Sequence, residues 1–159
     1  MDMRIEMVLF DAGGTLLGTN TEHTHWYEQF FVEACADQGV TVTPTEVDDA
    51  LAEAAAHVRP GDRCSSDAQV REFWEHMYAW CFRRLVPGCD ADALARHYID
   101  RFEQGEFVRL FPDALEALEA VRRAGVRAGV VSNFGTYLNH FFGITDIGHF
   151  FEFVVVSAA

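Results

Sequence analysis

The stretch MVLFDAGGTLL at residues 7–17 constrains this chain more than any other. Its apolar run stops at a lone carboxylate, Asp11, and Gly13, Gly14 and Thr15 follow. A continuous apolar run of this kind suits a strand buried on both faces, as in a parallel sheet. Parallel sheets bind ligands outside the carboxyl ends of their strands. Asp11 stands at such an end. The glycines beside it permit close backbone approach and unusual dihedrals, so backbone groups can line a pocket next to the carboxylate.

The rest of the chain fills in a fold around this strand. Trp26, Phe30 and Ala34 recur at helical spacing, with Tyr27, Phe31 and Cys35 alongside. Thr43-Pro44-Thr45-Glu46 is a capping box with Pro at the first helical position. Val47, Ala50, Leu51, Ala54, Ala55 and Val58 then trace one stripe, and Arg59-Pro60-Gly61-Asp62 breaks it. Val70, Phe73, Trp74, Met77 and Cys81 make the next stripe, ended by Pro87-Gly88; Ala91, Leu94, Ala95, Tyr98 and Phe102 make a fourth. Phe111-Pro112-Asp113 opens a further helix, with Gly125 placed to end it. Residues 126–131 read as a second strand running into Ser132-Asn133, residues 137–142 as a short helix, and residues 151–156 as a third strand.

The order is strand, four helices, helix, strand, helix, strand. It predicts an α/β fold with a parallel sheet and right-handed crossovers. Four helices are too many for one crossover. Residues 20–105 are therefore expected as a helical insert, and residues 1–19 and 106–159 as the core.

Composition narrows the partners. The formal net charge is −13, from 25 acidic and 12 basic residues, which disfavours nucleic acid because phosphate-backbone binding needs a basic face. Every basic residue is Arg, so a mechanism needing a lysine from this chain is excluded. The four cysteines show no C-x-x-C spacing and read as free thiols of a reducing compartment. The first residues carry Asp2 and Glu6 and do not read as a signal peptide. No stretch approaches the ~18 apolar residues of a membrane span. A cytoplasmic protein without membrane partners is the expectation.

Two strand ends carry polar groups: Asp11 on the first, Ser132 and Asn133 on the second. If the strands are neighbours, a carboxylate faces a hydroxyl and an amide across one crevice. That is a site for an anion or a phosphoryl group. His23 and His25 lack acidic or Cys partners at metal-ligand spacing and read as ordinary surface histidines.

FDAGGTLL resembles the first motif, hhhhD-x-D-x-T, of the haloacid dehalogenase (HAD) superfamily. VVSNF resembles the second, an apolar strand ending in Ser or Thr. LFPDALEALEAVRRAGVRAGVVSNF is similar to the helix-strand unit that precedes the second motif. FFEFVVVSAA is similar to the strand leading to the third. The helical insert lies where the family carries its helical cap. The resemblance implies a three-layer, Rossmann-like parallel sheet with an inserted cap that closes over the site and selects the substrate. It implies a phosphatase-like hydrolase acting on a small phosphorylated, or halogenated, molecule. Asp11 would be the nucleophile, forming a covalent aspartyl intermediate, and would ligate Mg²⁺ together with the backbone carbonyl of Gly13. Thr15 would brace the loop. Ser132 and backbone amides near Asn133 would hold the transferring group.

Two departures from the family pattern carry consequences. Phosphatases of the family place a second Asp two residues after the nucleophile to protonate the leaving group, and this chain has Gly13 there. General acid assistance is worth about 10²–10⁴-fold, so poor alkoxide leaving groups should suffer most and acyl phosphates or halides least. The family's third and fourth motifs, a Lys or Arg and then carboxylates for the metal, are not found after residue 156. The expectation is a truncated family member with an incomplete sheet, impaired catalysis, and a first strand exposed at an edge prone to self-association. Two other functions stay open: a remnant that only binds ligand, and a dehalogenase-like or phosphonatase-like hydrolase.

Overall fold

The computed structural model describes residues 5–18, 28–58 and 66–158. The chain divides into two compact units, one formed by Met1–Glu22 with Gln104–Ala159 and the other by His23–Glu103.

The first unit is built on a parallel sheet. Strands β1 (Met7–Phe10), β4 (Arg127–Gly135) and β5 (Val154–Ala158) lie in the order β1-β4-β5. Phe10 is in register with Val130, and Val130 with Val154. A second, two-stranded piece pairs β2 (Leu17–Gly18) antiparallel with β3 (Arg109–Leu110). Helix α5 (Ala114–Arg123) precedes β4, and α6 (Leu138–Ile144) with a short 3₁₀ turn at Gly148–Phe150 leads to β5. Gly125 takes φ +68° after α5, as a residue ending a helix there must.

The two faces of this sheet differ. Ala128, Val130 and Ser132 of β4 are buried on one face, along with Leu118 of α5 and Phe141 and Phe142 of α6. Phe151 packs between Phe10 and Phe142, with ring centroids at 6.4 and 5.1 Å. The other face carries Leu9, Val131, Phe153 and Val155, which are 57, 49, 39 and 51 % exposed. On that face the Phe153 ring lies over Gly129, where an added Cβ would meet ring atoms at 2.5–2.8 Å. The apolar run of β1 suggests a strand buried on both faces; the structure corrects this. β1 pairs only with β4 among the described residues, and Leu9 faces solvent.

The second unit is helical: α1 (Glu28–Asp37), α2 (Pro44–His57), α3 (Asp67–Leu85) and α4 (Ala91–Glu103). The capping box at α2 forms as the sequence predicts. Glu46 N–H donates to the Thr43 hydroxyl, and Thr43 N–H donates to the Glu46 carboxylate at 2.8 Å. The core gathers Phe31, Phe82 and Tyr98, all buried, with Phe30 and Tyr78. The Tyr98 hydroxyl donates to the Phe30 carbonyl at 2.7 Å, which satisfies the one polar atom that the ring brings inside. Arg71 of α3 binds Glu75 of its own helix and Asp100 and Glu103 of α4, at 2.8, 2.6 and 2.7 Å. The apolar stripes are legible, but their edges move: Tyr78, Phe82 and Leu85 are buried in α3, whereas Ala55 of α2 is exposed. Trp26, Tyr27 and the break at residues 59–62 lie outside the described residues, as do His23 and His25. No helix among the described residues is long and apolar enough to cross a membrane.

Candidate active site

The site is built at the carboxyl ends of β1 and β4. β1 ends at Phe10, and the chain then wraps around the carbonyl of Ala12. The amides of Thr15, Leu16 and Leu17 all donate to that oxygen, at 3.2, 2.9 and 2.9 Å, and Gly14 N–H donates to the Leu17 carbonyl at 3.0 Å. So tight a reversal needs a left-handed residue. Gly14 supplies it at φ +76°, where any side chain would be strained although the space around it is open. The glycine is thus there for its dihedral. Thr15 joins the loop through its backbone amide and is exposed. Gly13 makes a single bridge to Leu17.

Asp11 stands at the mouth of this loop. Its Oδ1 accepts from the Ala12 amide at 2.7 Å and from the Ser132 hydroxyl at 2.7 Å, a partner 121 residues away. Ser132 is 6 % exposed and is the buried polar residue of the described core. Asp11 itself is exposed. The arrangement fixes one carboxylate oxygen, Oδ1, with two donors on a side chain that is exposed. A carboxylate held in this way is oriented for attack or for binding a cation. The O–H of Ser132 is engaged by Asp11, so donation to a bound group requires that hydroxyl to turn away from the carboxylate.

Asn133 lies one residue further along β4, where the pairing with β5 becomes irregular. β4 spans Ser132 to Gly135 while β5 spans only Val156 to Ala158, so β4 carries one extra residue. Bulges of this kind re-aim side chains and favour the surroundings of active sites. Ser157 of β5, which motif reading passes over, donates its hydroxyl to Asn133 Oδ1 at 2.5 Å. The signal for Ser157 was present in the sequence: like Ser132, it directly follows an apolar strand.

As a metal site the oxygens are few. Among the described residues there is no group of three or more His, Cys, Asp or Glu side chains that could hold an ion. One carboxylate with backbone carbonyls is the minimum Mg²⁺ accepts, because it keeps several waters and takes further ligands from a substrate phosphate. Asp11 and the Gly13 carbonyl are hard oxygens of the kind Mg²⁺ takes.

Comparison with known proteins identifies the family. Residues 5–158 match the family model of the haloacid dehalogenase-like hydrolases. The chain is 24 % identical over 160 residues to haloacid dehalogenase-like hydrolase domain-containing protein 3 of Xenopus laevis, covering 98 % of this chain and 64 % of that protein. Its fold is similar to that of YfnB from Bacillus subtilis, assigned as a HAD-hydrolase and solved bound to magnesium: TM-score 0.68, 15 % identity, 98 % of this chain and 66 % of that one. A HAD family hydrolase from Deinococcus radiodurans, solved with phosphate and sodium, matches with TM-score 0.57 and 21 % identity over 98 % of this chain and 59 % of its own. The chain thus spans somewhat under two thirds of the curated relative's length. With a family match running from residue 5 to residue 158, this chain belongs to the haloacid dehalogenase-like hydrolases.

Proposed function

We propose that this chain is a phosphatase-like hydrolase of its family, working through a covalent intermediate on Asp11. The observation that carries the reading is the Ser132–Asp11 hydrogen bond, which joins the end of β1 to the adjacent strand β4 and orients one carboxylate. In the proposed step, Asp11 Oδ2 attacks phosphorus and the bond from phosphorus to the leaving oxygen breaks. The leaving oxygen keeps the electron pair and takes a proton from solvent, since Gly13 offers none. Water then attacks the phosphorus, releases phosphate and restores the carboxylate. Asn133, and Ser132 once its hydroxyl turns from Asp11, supply hydrogen bonds to the phosphoryl oxygens, and Thr15 steadies the loop. Mg²⁺ held by Asp11 and the Gly13 carbonyl would supply charge neutralisation for the phosphate. Residues 20–105 act as the inserted helical subdomain, and the division of the chain near residues 22 and 104 supports that boundary. Self-association through the open edge of β1 belongs to the same reading.

Gly13 favours a second reading on the same nucleophile. A halide needs no proton to leave, so attack of Asp11 on a halogen-bearing carbon would not miss the acid. The test compares acetyl phosphate, an aryl phosphate and a haloacid, each with Mg²⁺, against wild type and Asp11→Asn. The phosphatase reading expects turnover of acetyl phosphate above the aryl ester, abolished by Asp11→Asn. Release of halide alone moves the assignment to a dehalogenase. Phosphate binding without any Asp11-dependent turnover identifies a binding remnant.

A further inference from the structure

The bond between Ser157 and Asn133 repeats, one strand over, what Ser132 does for Asp11. A hydroxyl on β4 holds a carboxylate at the end of β1, and a hydroxyl on β5 holds a carboxamide on β4. The atom of Asn133 that accepts from Ser157 is Oδ1. The amide therefore turns Oδ1 toward β5, and its donor, Nδ2, is the end left to meet an acceptor elsewhere. The extra residue of β4 between Ser132 and Gly135 falls at this pair, so the irregularity and the hydrogen bond act on the same side chain.

Both side chains are exposed, and a hydrogen bond in water adds little to folding. What the contact supplies is orientation. A carboxamide that rotates freely must be turned and held before its donor meets a phosphate oxygen. One whose oxygen is already bonded offers the donor. Donors fixed in advance of charge development are the ones that count in catalysis.

We propose that Ser157 is a positioning residue that locks the Asn133 carboxamide, so that Nδ2–H donates to an oxygen of the phosphoryl group handled at Asp11. This rests on the reading of Asp11, Ser132 and Asn133 as a phosphoryl site. The test uses the full chain and two separate readouts. In ¹⁵N-labelled protein the Asn133 side-chain amide signals are identified by their loss in Asn133→Asp. Ser157→Ala should move them to the values of a solvated carboxamide, and Ser157→Thr should keep them. In the second readout, inorganic phosphate is titrated into each variant. Ser157→Ala should weaken binding about tenfold, the size of one well-placed hydrogen bond. Ser157→Thr should restore binding, and Ser157→Ala should add nothing in an Asn133→Ala background. Amide signals that ignore Ser157→Ala overturn the link whatever the titration gives. Additive losses in the double variant overturn the positioning role. A wild type that binds no phosphate, with amide signals that still respond, ends the phosphoryl reading while the Ser157–Asn133 link stands.

Discussion

Ser132 is the residue on which the site's geometry turns. It is buried, its hydroxyl has one proton to give, and that proton goes to Asp11. Removing it leaves Oδ1 with the Ala12 amide as its partner among the described residues. A hydrogen bond to a charged group is worth ~1.5–3 kcal/mol, so Ser132→Ala should lower kcat/KM by about 10- to 100-fold on whichever substrate turns over. Ser132→Thr should recover part of the loss. Steady-state kinetics checks this, and an unchanged kcat/KM in Ser132→Ala would remove the hydroxyl from the mechanism. Burial pushes the Cys81 thiol from 9.0 up to about 12, and burial with nearby Cys89 pushes Cys35 from 9.0 up to about 11. A folded pKa above the unfolded one means that the native state holds its proton more tightly. That stability is fully present below pH 9 and is lost as pH rises toward 11 and 12. Urea midpoints should therefore fall across that alkaline window in wild type and fall less in Cys81→Ala.

At the scale of elements, Arg71 ties α3 to α4. Its three carboxylate partners sit at ion-pair distance, and hydrogen bonding to Asp100 and attraction to Glu103 raise its pKa despite the opposing cost of burial. Burial also raises the Glu103 carboxyl above its ordinary range, against the lowering pull of Arg71. Arg71→Met would leave three carboxylates facing one another. The side chain of Arg71 is 31 % exposed, so solvent screens the loss, and destabilisation of ~1–3 kcal/mol is expected. The cost should shrink as the pH is lowered and Glu103, whose carboxyl burial already raises, takes up a proton. Denaturant unfolding at neutral and acid pH measures both effects. Much of this level was legible beforehand. The capping box at Thr43 and the strand-helix order rest on local chemistry that the sequence displays directly. What was not legible depends on partners distant in the chain. Leu17–Gly18 and Arg109–Leu110 are strands only because they meet each other. β4 continues past the polar Ser132-Asn133 pair to Gly135 because β5 lies beside it, so a strand that sequence reading ends at residue 131 runs on through a bulge. Asp11 and Ser132 were visible as strand ends, but which proton serves which oxygen follows only from their distance.

For the molecule as a whole, the exposed side of β1 sets the last prediction. The backbone of Met7–Phe10 is paired on one side by β4, and its other side has no strand among the described residues. Leu9, Val131 and Val155 extend the apolar surface away from that edge. Open apolar edges recruit further strands, and a second copy always carries a strand of the right length. Its natural arrangement is antiparallel about a two-fold axis, β1 against β1. The flanking residues resist it. Glu6 precedes the strand and Asp11 follows it, so the antiparallel pair brings Glu6 of each copy toward Asp11 of the other, on top of a net charge of −13 per chain. Repulsion of this sort is screened beyond ~10 Å at about 0.1 M salt and beyond ~3 Å at about 1 M. Association should therefore strengthen with ionic strength, opposite to a contact made by ion pairs. Sedimentation velocity should show a shift from monomer toward dimer between about 0.05 M and about 1 M sodium chloride, with the scale of the effect set by that screening length. Leu9→Glu, at an exposed position, should hold the chain monomeric at both salts while circular dichroism reports an unchanged fold. A wild type that stays monomeric at high salt, or a dimer that survives Leu9→Glu, would place the contact elsewhere or remove it.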